Sequence, residues 1–593
     1  MIRRFIAIAA FGALALAACA EDPDAPAPVA DADLGRTVTG GRIVGYVDAD
    51  TGAHVWLGVP FAAAPDGANR WRAPQPVEPW RGARETLAHA EPCPQITNAL
   101  NAEATGTEPG QLIGTEDCLF LDVYAPPREA AGDGPPPASG QAQVYEPGRP
   151  VLIWIHGGGN VWGSAEQYDG AQLATDQDAI VVVVQYRLGP LGFFAHPALS
   201  AGDNAVEAGD SAPNRSGAAN FALLDQIAAL EWVRENARTF GGDPERVTIF
   251  GESAGGHNVA GLLASPLAEG LFHRAIIQSG RTDVVALEEA RDGSDNAAIP
   301  AARRFTGQAS PAPADLRAAP LQAVFDAYTQ GESFFDLPRM IADGVTAPEN
   351  GLLGALSSPD SFNAVPVITG TNRDEMTLFN AFDPALTSRW FGVIIRTPDP
   401  DFYAAANEYQ SRLWRALAVD ELAQTLTEGG HEAVYAYRFD WDEGGRIAFM
   451  DLSRLLGAAH AMEIPFVFNH FEFFGRLDSA LFNDENARGR EALAQSMGAY
   501  WAEFARTGDP NAAGGPDWPV WADGGRLLRF DTPADGGIEV IEGRETLERI
   551  ALDLSEDPRL TPDQRCFIFE RLVTWRDSVT ELGAPLDCAQ PAD

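Results

Sequence analysis

The segment around Ser253 constrains the fold of this chain more than any other. The apolar run Val247–Phe250 predicts a short buried strand, and a second apolar run at Val259–Leu263 has the character of a helix. Between them stands Gly251-Glu252-Ser253-Ala254-Gly255, a Gly-x-Ser-x-Gly pattern. Small residues on either side of a serine allow a sharp turn from strand to helix that projects the hydroxyl group. We therefore expect an α/β protein in which Ser253 is a nucleophile.

Other segments predict the sheet that carries this turn. Val151–Ile155 and Ala179–Gln185 are short, continuous, β-branched runs, which are typical of strands buried on both faces. Asn220–Asn236 carries apolar residues at helical spacing, and the glycines and proline of 241–244 are expected to break the chain after it. Alternating buried strands and helices predict an α/β fold with a large, mostly parallel central sheet flanked by helices.

A glycine run follows the predicted strand 151–155. His156-Gly157-Gly158-Gly159 would let backbone N–H groups converge on one point, as an oxyanion hole requires. The N-terminus of the helix behind Ser253 offers further N–H groups and a positive dipole. His156 itself is expected to be a structural, hydrogen-bonding residue rather than a base.

The charge of the chain excludes several kinds of partner. Acidic residues outnumber basic ones 84 to 42, the net charge is −42, and every basic residue is an arginine. Such a surface repels phosphate backbones and anionic headgroups, so a nucleic-acid partner is not expected. The chain has no Cys-x-x-Cys or His-Glu-x-x-His pattern and its nine histidines are scattered. Neither a metal nor a cofactor is expected.

The N-terminus has the pattern of a signal peptide. Arg3 and Arg4 precede the apolar run Phe5–Ala18, which is too short to span a bilayer comfortably. The run ends in Leu16-Ala17-Ala18-Cys19, which resembles a bacterial lipobox. That resemblance implies removal of residues 1–18 and a lipid on the new first residue, Cys19. Ordinary signal-peptide cleavage beside an incidental cysteine is the alternative.

These features imply export to the bacterial cell envelope, either periplasmic or anchored in the outer membrane. Contact with the membrane would be made through the N-terminal lipid only. Residues 19–36 are acidic and rich in proline and alanine, as expected of a tether. Residues 37–593 would then form a single catalytic domain.

The four remaining cysteines fall into two close pairs, 93/118 and 566/588. Exported proteins meet an oxidising compartment in which such pairs form disulfides. The 566/588 bridge is predicted only because the number of remaining cysteines is even and the protein is expected to be exported. Its alternative is a buried thiol at Cys566 with Cys588 free on a mobile tail.

Together these segments resemble the carboxylesterase type-B family, the cholinesterase-like branch of the α/β-hydrolases. The resemblance extends from about Gly41 to Phe474 and more weakly to the C-terminus. It implies the α/β-hydrolase fold with long excursions near the active site, and a serine carboxylic-ester hydrolase with a Ser-His-Glu triad and an acyl-enzyme intermediate. The matching segments are Gly58–Ala62, Glu116–Leu119, His156–Gly159, Asp225–Gln226, Phe240–Asp243, Phe250–Gly255 and Gln278–Gly280.

The other two triad residues follow from chain order and resemblance. In this fold the order is serine, acid, histidine. The predicted strand Val365–Thr369 leads into a segment that resembles the acid-bearing loop of the family, which implies that Glu375 is the acid, with its neighbour Asp374 as the alternative. His460 begins a segment that resembles the histidine segment of the family. The competing histidines are His257, His431 and His470.

The resemblance also assigns supporting roles. Gly158, Gly159 and Ala254 would supply the N–H groups of the oxyanion hole. Glu252 and Ser279 would support His460, although Glu252 could instead be a buried carboxylate satisfied by backbone. Further implied features are the Cys93–Cys118 disulfide and the buried ion pairs Arg70–Glu116 and Arg187–Asp225.

Departures from the family pattern bear on the substrate, a small-molecule ester. No aromatic residue lies between Cys93 and Cys118, where cholinesterases hold a tryptophan that stacks on choline. A quaternary ammonium needs such a face, so acetylcholine is disfavoured. Asn160 stands where many relatives carry phenylalanine and is expected to add a polar group near the pocket mouth. The alternatives are a lipase acting on long acyl chains and a non-catalytic binding protein; the presence of Ser253 disfavours the second.

Overall fold

The computed structural model describes most of the chain: residues 27–98, 101–102, 106–127, 148–199, 215–328, 337–390, 394–511, 515–521, 524–574 and 588. The predicted signal peptide and Cys19 lie outside these residues. The end of the segment predicted as a tether is part of the fold, because Leu34 is buried and Gly35–Val38 pairs with the next strand.

The strands are short and mostly apolar. They are β1 (Gly35–Val38), β2 (Gly41–Val44), β3 (Tyr46–Val47), β4 (His54–Pro60), β5 (Ala83–Glu85), β6 (Gln95–Ile96), β7 (Leu112–Ile113), β8 (Phe120–Ala125), β9 (Arg149–Ile155), β10 (Ile180–Val184), β11 (Gly242–Glu252), β12 (Arg274–Gln278), β13 (Val285–Ala286), β14 (Ile341–Ala342), β15 (Val367–Asn372), β16 (Ser388–Trp390), β17 (Ile394–Arg396), β18 (Val434–Phe439), β19 (Arg446–Ile447), β20 (Met450–Asp451), β21 (Arg526–Phe530) and β22 (Glu539–Glu542).

The helices lie between and after the strands. They are α1 (Ala171–Gln177), α2 (Gly189–Gly192), α3 (Phe221–Phe240), α4 (Ala254–Ala264), α5 (Leu287–Asp292), α6 (Ala298–Thr306), α7 (Pro313–Arg317), α8 (Leu321–Asp326), α9 (Gly351–Leu356), α10 (Thr377–Asn380), α11 (Pro400–Arg415), α12 (Glu421–Glu428), α13 (Leu452–Leu455), α14 (Ile464–Phe468), α15 (Asp478–Leu481), α16 (Ala487–Thr507), α17 (Leu547–Glu556) and α18 (Pro562–Val573). A π-helical turn, Ala416–Asp420, joins α11 to α12.

One large sheet organises the molecule. Its strand order is β22-β21-β18-β15-β12-β11-β9-β10-β8-β4-β3. The pairs from β21 to β10 are parallel, and the strands at both edges are antiparallel. The predicted large, mostly parallel sheet is thus confirmed.

The register of the parallel strands brings their carboxyl ends to one edge. Ile155 at the end of β9 lies opposite Gly251 of β11, and Glu252 lies opposite Gln278 of β12. Gln278 in turn lies opposite Gly370 of β15. The segments that follow these strands therefore emerge side by side, at the edge where open α/β sheets bind their ligands.

Both faces of the sheet are covered by helices, as buried parallel strands require. Ile153 of β9 packs in a core with α3, α4, α9 and α12 on one face. The next residue, Trp154, packs on the opposite face in a core with α1, α11, α14 and α16. Successive side chains of the strand point to opposite faces of the sheet, and both faces are covered. Every position is therefore buried, which explains the continuous apolar run in the sequence.

The predicted elements agree with these bounds, with one correction. The break expected at 241–244 is incomplete, because β11 already begins at Gly242. Its pairing with β9 shifts register between Gly242 and Val247, so the regular ladder starts at Val247, where the apolar run predicted a strand. Gly241 ends α3 in the left-handed conformation that favours glycine, with φ 92°.

Both predicted disulfides form. The Cα atoms lie 5.1 Å apart in Cys93–Cys118 and 5.4 Å apart in Cys566–Cys588. The free thiols considered as the alternative at Cys566 and Cys588 are therefore not present. No helix within the described residues is long and apolar enough to cross a membrane.

The ion pairs implied by the family resemblance are also present. Arg70 donates to Glu116 through Nε at 2.6 Å. Arg187 forms a two-point contact with Asp225, through Nε at 2.8 Å and Nη2 at 2.6 Å, and both side chains are almost fully buried. The backbone N–H of Arg187 also donates to Asp225, so this carboxylate fixes the segment after β10 against α3.

Asp225→Asn should destabilise the fold, because it leaves the buried Arg187 guanidinium without its counter-charge. We expect the free energy of unfolding to fall by about 3–5 kcal/mol, measured by urea unfolding. Glu288→Gln is the matched control, since its partner Arg291 lies 2.7 Å away but the Glu288 side chain is 84% exposed. A control effect above about 1 kcal/mol, or an equal effect of both changes, would contradict the assignment.

Candidate active site

Ser253 lies at the turn between β11 and α4, as predicted. Its φ of 55° and ψ of −119° place it outside the regions that residues with a side chain usually adopt. The turn is held by two backbone bonds: the N–H of Ser253 donates to Gln278 (2.8 Å) and its carbonyl accepts from His257 (2.9 Å). The strain is thus imposed by β12 on one side and α4 on the other.

The glycines of this turn are needed for close packing. A Cβ atom at Gly255 would collide with the carbonyl oxygen of Ile155, at the end of β9. A Cβ atom at Gly251 would lie 2.5 Å from the same oxygen. Helix α4 can therefore begin directly against β9 only because both positions lack side chains.

The loop after β9 carries the predicted oxyanion donors. Gly158, Gly159 and Asn160 have φ values of 92°, 65° and 62°, three consecutive left-handed residues. The turn is closed by Val161 and Trp162, whose N–H groups donate to the carbonyl of Gly158. Within the part of the chain that the structure describes, the N–H groups of Gly158 and Gly159 make no backbone bond. They are therefore available to a ligand.

Ala254 supplies the third candidate donor. It is the first residue of α4, and the first N–H groups of a helix have no partner within it. The positive end of the helix dipole lies at the same point.

Asn160 has a structural role that the sequence did not reveal. It is 2% exposed, and its Oδ1 accepts a hydrogen bond of 2.8 Å from Nδ2 of Asn258 in α4. Its carbonyl accepts from Gly189 at 2.7 Å. The expected polar group near the pocket mouth is therefore buried, and it ties the oxyanion loop to the helix that begins after Ser253. Asparagine tolerates the left-handed conformation better than phenylalanine would.

Glu375 contacts His460. Its Oε2 lies 2.5 Å from Nδ1 of His460, and its Oε1 accepts from Ser279 Oγ, Thr371 Oγ1 and the N–H of Asn372 at 2.6–2.8 Å. The side chain is fully buried. Four donors on one carboxylate leave it a single orientation, which in turn fixes the imidazole.

Asp374, the alternative acid, has a different environment. Its Oδ2 accepts from the guanidinium of Arg373 at 2.7 Å and from the N–H of Ala458 at 3.0 Å. It joins the acid loop to the loop that carries His460 and does not contact the imidazole among the described interactions.

His460 is surrounded by carboxylates and aromatic rings. Its Nε2 lies 3.1 Å from Oε1 of Glu252, without the alignment of a hydrogen bond. The rings of Trp414 and Phe379 lie 4.7 Å and 5.3 Å from the imidazole, centroid to centroid. Burial alone would lower the pKa of His460, but the carboxylates of Glu252, Glu375 and Glu463 outweigh it and raise the pKa to about 9.

The described hydrogen bonds do not include one between Ser253 Oγ and His460 Nε2. In this arrangement Nε2 lies against Glu252 instead. Bonds between catalytic groups are often long or misaligned before substrate binds, so the geometry is compatible with proton transfer from Ser253.

Glu463 is a site residue that sequence reasoning missed. It is fully buried, its Oε1 accepts from Gln278 Nε2 (3.1 Å), and its Oε2 accepts from Asn372 Nδ2 (2.6 Å). Burial, followed by the charge of Glu375, raises the pKa of Glu463. The sequence feature that could have identified Glu463 is its position: it is an acidic residue three positions after His460, directly before an apolar helix.

The competing histidines do not join this network. His431 packs edge-on against Phe362, and His257 lies one turn along α4 near Asp283. His156 is a structural residue as predicted: it stacks on Tyr186, and burial lowers its pKa to about 4. Among the described residues, no group of three or more His, Cys, Asp or Glu side chains is placed to hold a metal ion.

A strained serine at a strand-to-helix turn, a buried carboxylate–imidazole pair and free N–H groups meet at the carboxyl edge of one parallel sheet. This is the architecture of the serine hydrolases of the α/β-hydrolase class, in which the serine attacks an acyl carbon. Within that class, the chain belongs to the carboxylesterase family, whose model matches residues 32–389 and 396–540.

Known relatives agree. The chain is 31% identical over 589 residues to human cocaine esterase, covering 90% of this chain and 93% of the relative. It is 31% identical over 504 residues to para-nitrobenzyl esterase of Bacillus subtilis, covering 81% and 91%. A solved PNB esterase superposes with a TM-score of 0.65 at 29% identity, covering 86% of this chain and 97% of that one. The chain is a serine carboxylic-ester hydrolase.

The pH dependence of activity should report the charges around His460. A general base must be neutral, so kcat/KM should rise as the pH increases through the pKa of His460. Glu252→Gln removes one of the charges that raise this pKa and should shift the rising limb to lower pH, measured with p-nitrophenyl acetate. Glu288→Gln, at the surface, should leave the limb in place. An unchanged or upward-shifted limb in Glu252→Gln would show that Glu252 does not act on the imidazole.

Proposed function

We propose that the chain hydrolyses small carboxylic esters through Ser253, His460 and Glu375. The observation that carries this proposal is the contact of Glu375 with His460 at the edge of the sheet where Ser253 projects. The acid precedes the histidine in the chain and both follow the serine, in the order expected for this fold.

The first half of the reaction acylates the serine. His460 takes the proton of Ser253 Oγ, which attacks the ester carbonyl carbon. The carbonyl oxygen becomes an oxyanion that the N–H groups of Gly158, Gly159 and Ala254 stabilise. One such donor typically contributes about 2.7–4 kcal/mol to the stability of the transition state.

The second half releases the acid. The imidazolium of His460 protonates the leaving alcohol, and water then attacks the acyl-enzyme with His460 as base. Glu375 holds the imidazole in place and stabilises its charged form. Ser279 supports Glu375 by a hydrogen bond, and Glu252 places a second buried carboxyl group beside Nε2.

The Asn160–Asn258 bond supports the same reaction. It connects the loop that carries two proposed oxyanion donors to the helix that carries the third. Because both amides are buried, the bond restricts the relative motion of the donors without contacting the substrate.

We further propose that the protein is a lipoprotein of the bacterial cell envelope. The lipobox-like segment ending at Cys19 supports this location. The two disulfides are consistent with it, since such bonds persist in oxidising compartments. Residues 37–593, together with the end of the predicted tether that the fold includes, would act as one catalytic domain, in keeping with the single large sheet.

The triad assignment is tested by three variants. Ser253→Ala should lose roughly a millionfold in kcat, and it should no longer be labelled by organophosphates. Glu375→Gln should lose about 10⁴-fold, because the imidazole is no longer held in the correct state. Asp374→Asn is the matched control and should retain most activity. Retained labelling of Ser253→Ala, or a greater loss in Asp374→Asn than in Glu375→Gln, would overturn the assignment.

The lipid anchor is tested separately. The mature protein should partition into detergent and incorporate labelled fatty acid, and Cys19→Ser should abolish both. Mass spectrometry of the mature chain should find a modified Cys19 at its N-terminus. An unmodified N-terminus beyond Cys19 would refute the anchor and leave the enzymatic proposal unaffected.

A further inference from the structure

The exposed aromatic side chains are concentrated in one region. Among the described residues, the large aromatic side chains with substantial exposure are Phe382 (38%), Trp390 (49%) and Phe449 (85%). Phe382 follows α10, Trp390 ends β16, and Phe449 stands in the turn between β19 and β20. Single exposed apolar residues need no explanation, but a group of three aromatic rings does.

Direct contacts join these segments. Strands β16 and β17 form a hairpin, and its Ile395 N–H lies 3.2 Å from the sulfur of Met450 in β20. The guanidinium of Arg389 lies over the ring of Phe382 at 5.6 Å. That of Arg396 lies over the ring of Trp390 at 5.8 Å. We call Phe382, Arg389, Trp390, Arg396 and Phe449 the aromatic–arginine patch.

The patch is positive in a strongly negative protein. Arg389 and Arg396 form no ion pair with any residue that the structure describes. Asp383, next to Phe382, and Asp451, at the end of β20, are bonded to other arginines, Arg571 and Arg446. Across the whole chain, by contrast, acids outnumber bases 84 to 42.

The N-terminal sequence predicts membrane contact through a lipid at Cys19 only, but we propose that the aromatic–arginine patch also docks on the surface of an anionic lipid bilayer. Tryptophan and phenylalanine insert at the level of the headgroups, and arginine extends its charge to the phosphates. Phe449, in the turn between β19 and β20, is 85% exposed, so most of its ring is free to enter a fluid surface that has no preformed pocket. The chain as a whole carries a large excess of acids, which anionic lipids repel, so the protein would approach the bilayer with this face.

The patch is connected to the proposed catalytic histidine. Phe379 of α10 packs 5.3 Å from the ring of His460, and Phe382 follows three residues later in the same segment. Docking would therefore bring the active-site side of the molecule to the lipid. This part rests on the proposed function, and it adds esters that partition into the bilayer to the small esters proposed above.

Vesicle sedimentation tests the docking surface. The full chain with Cys19→Ser is used, so that a lipid at that residue cannot contribute to binding. The test variant adds Trp390→Ser and Phe449→Ser. The matched control adds Val540→Ser and Leu552→Ser, which are 40% and 53% exposed on β22 and α17. Vesicles are made of phosphatidylcholine with and without phosphatidylglycerol.

We expect the Cys19→Ser chain and the control to bind vesicles containing phosphatidylglycerol, and the test variant to bind at least about tenfold less. Hydrolysis of soluble p-nitrophenyl acetate should be equal in all three. Hydrolysis of p-nitrophenyl palmitate held in these vesicles should fall in the test variant alone.

Three results would overturn the docking proposal: no binding of the Cys19→Ser chain to either vesicle, undiminished binding of the test variant, or equal loss in the control. Self-association on gel filtration that the test variant abolishes, without vesicle binding, would assign the patch to a second copy of the chain. Absence of p-nitrophenyl acetate hydrolysis would refute the proposed function instead. Vesicle sedimentation would still show whether the aromatic–arginine patch binds lipid.

Discussion

The site depends on the register of the parallel strands, which brings their carboxyl ends to the same edge of the sheet. Because β9, β11, β12 and β15 end side by side, the residues that follow them are gathered at one edge of the sheet although more than 200 positions separate Gly158 from Glu375. The backbone bond from Ser253 to Gln278 and the side-chain bond from Ser279 to Glu375 both cross between neighbouring strand ends. A shift of one residue in any of these pairings would separate the groups and turn their side chains to opposite faces.

The site holds groups in states that isolated residues would avoid. Ser253 and Asn160 adopt left-handed backbone angles, and three carboxylates are buried around one imidazole. Each arrangement persists because its surroundings leave no alternative: strand ends hold the serine, and donors from Thr371, Asn372 and Ser279 saturate one oxygen of Glu375. The imidazolium is the natural counter-charge for these carboxylates, so the environment that raises the pKa of His460 also stabilises the charged form that the reaction passes through.

Much of this could be predicted from sequence because it depends on local patterns. The strand ending at Ile155, the turn at Ser253 and the 566/588 bridge each follow from a short run or a pairing of residue types. Glu463 and the Asn160–Asn258 bond were not predicted, because their importance depends on which distant side chains face them. The strand beginning at Gly242 was also missed, since tertiary pairing with β9 overrides the local preference of glycine and proline.

The carboxylates around His460 also affect the binding of the reaction product. Ester hydrolysis leaves an organic acid in the pocket, and at neutral pH that acid loses its proton. The resulting anion then lies in a buried site where charges interact strongly: the carboxylates around His460 repel it, and the imidazolium, which attracts it, is already paired with Glu375. The neutral ester that enters experiences no such repulsion. The charge distribution thus weakens binding of the acid product and speeds its release, while the equilibrium between ester and acid is unchanged.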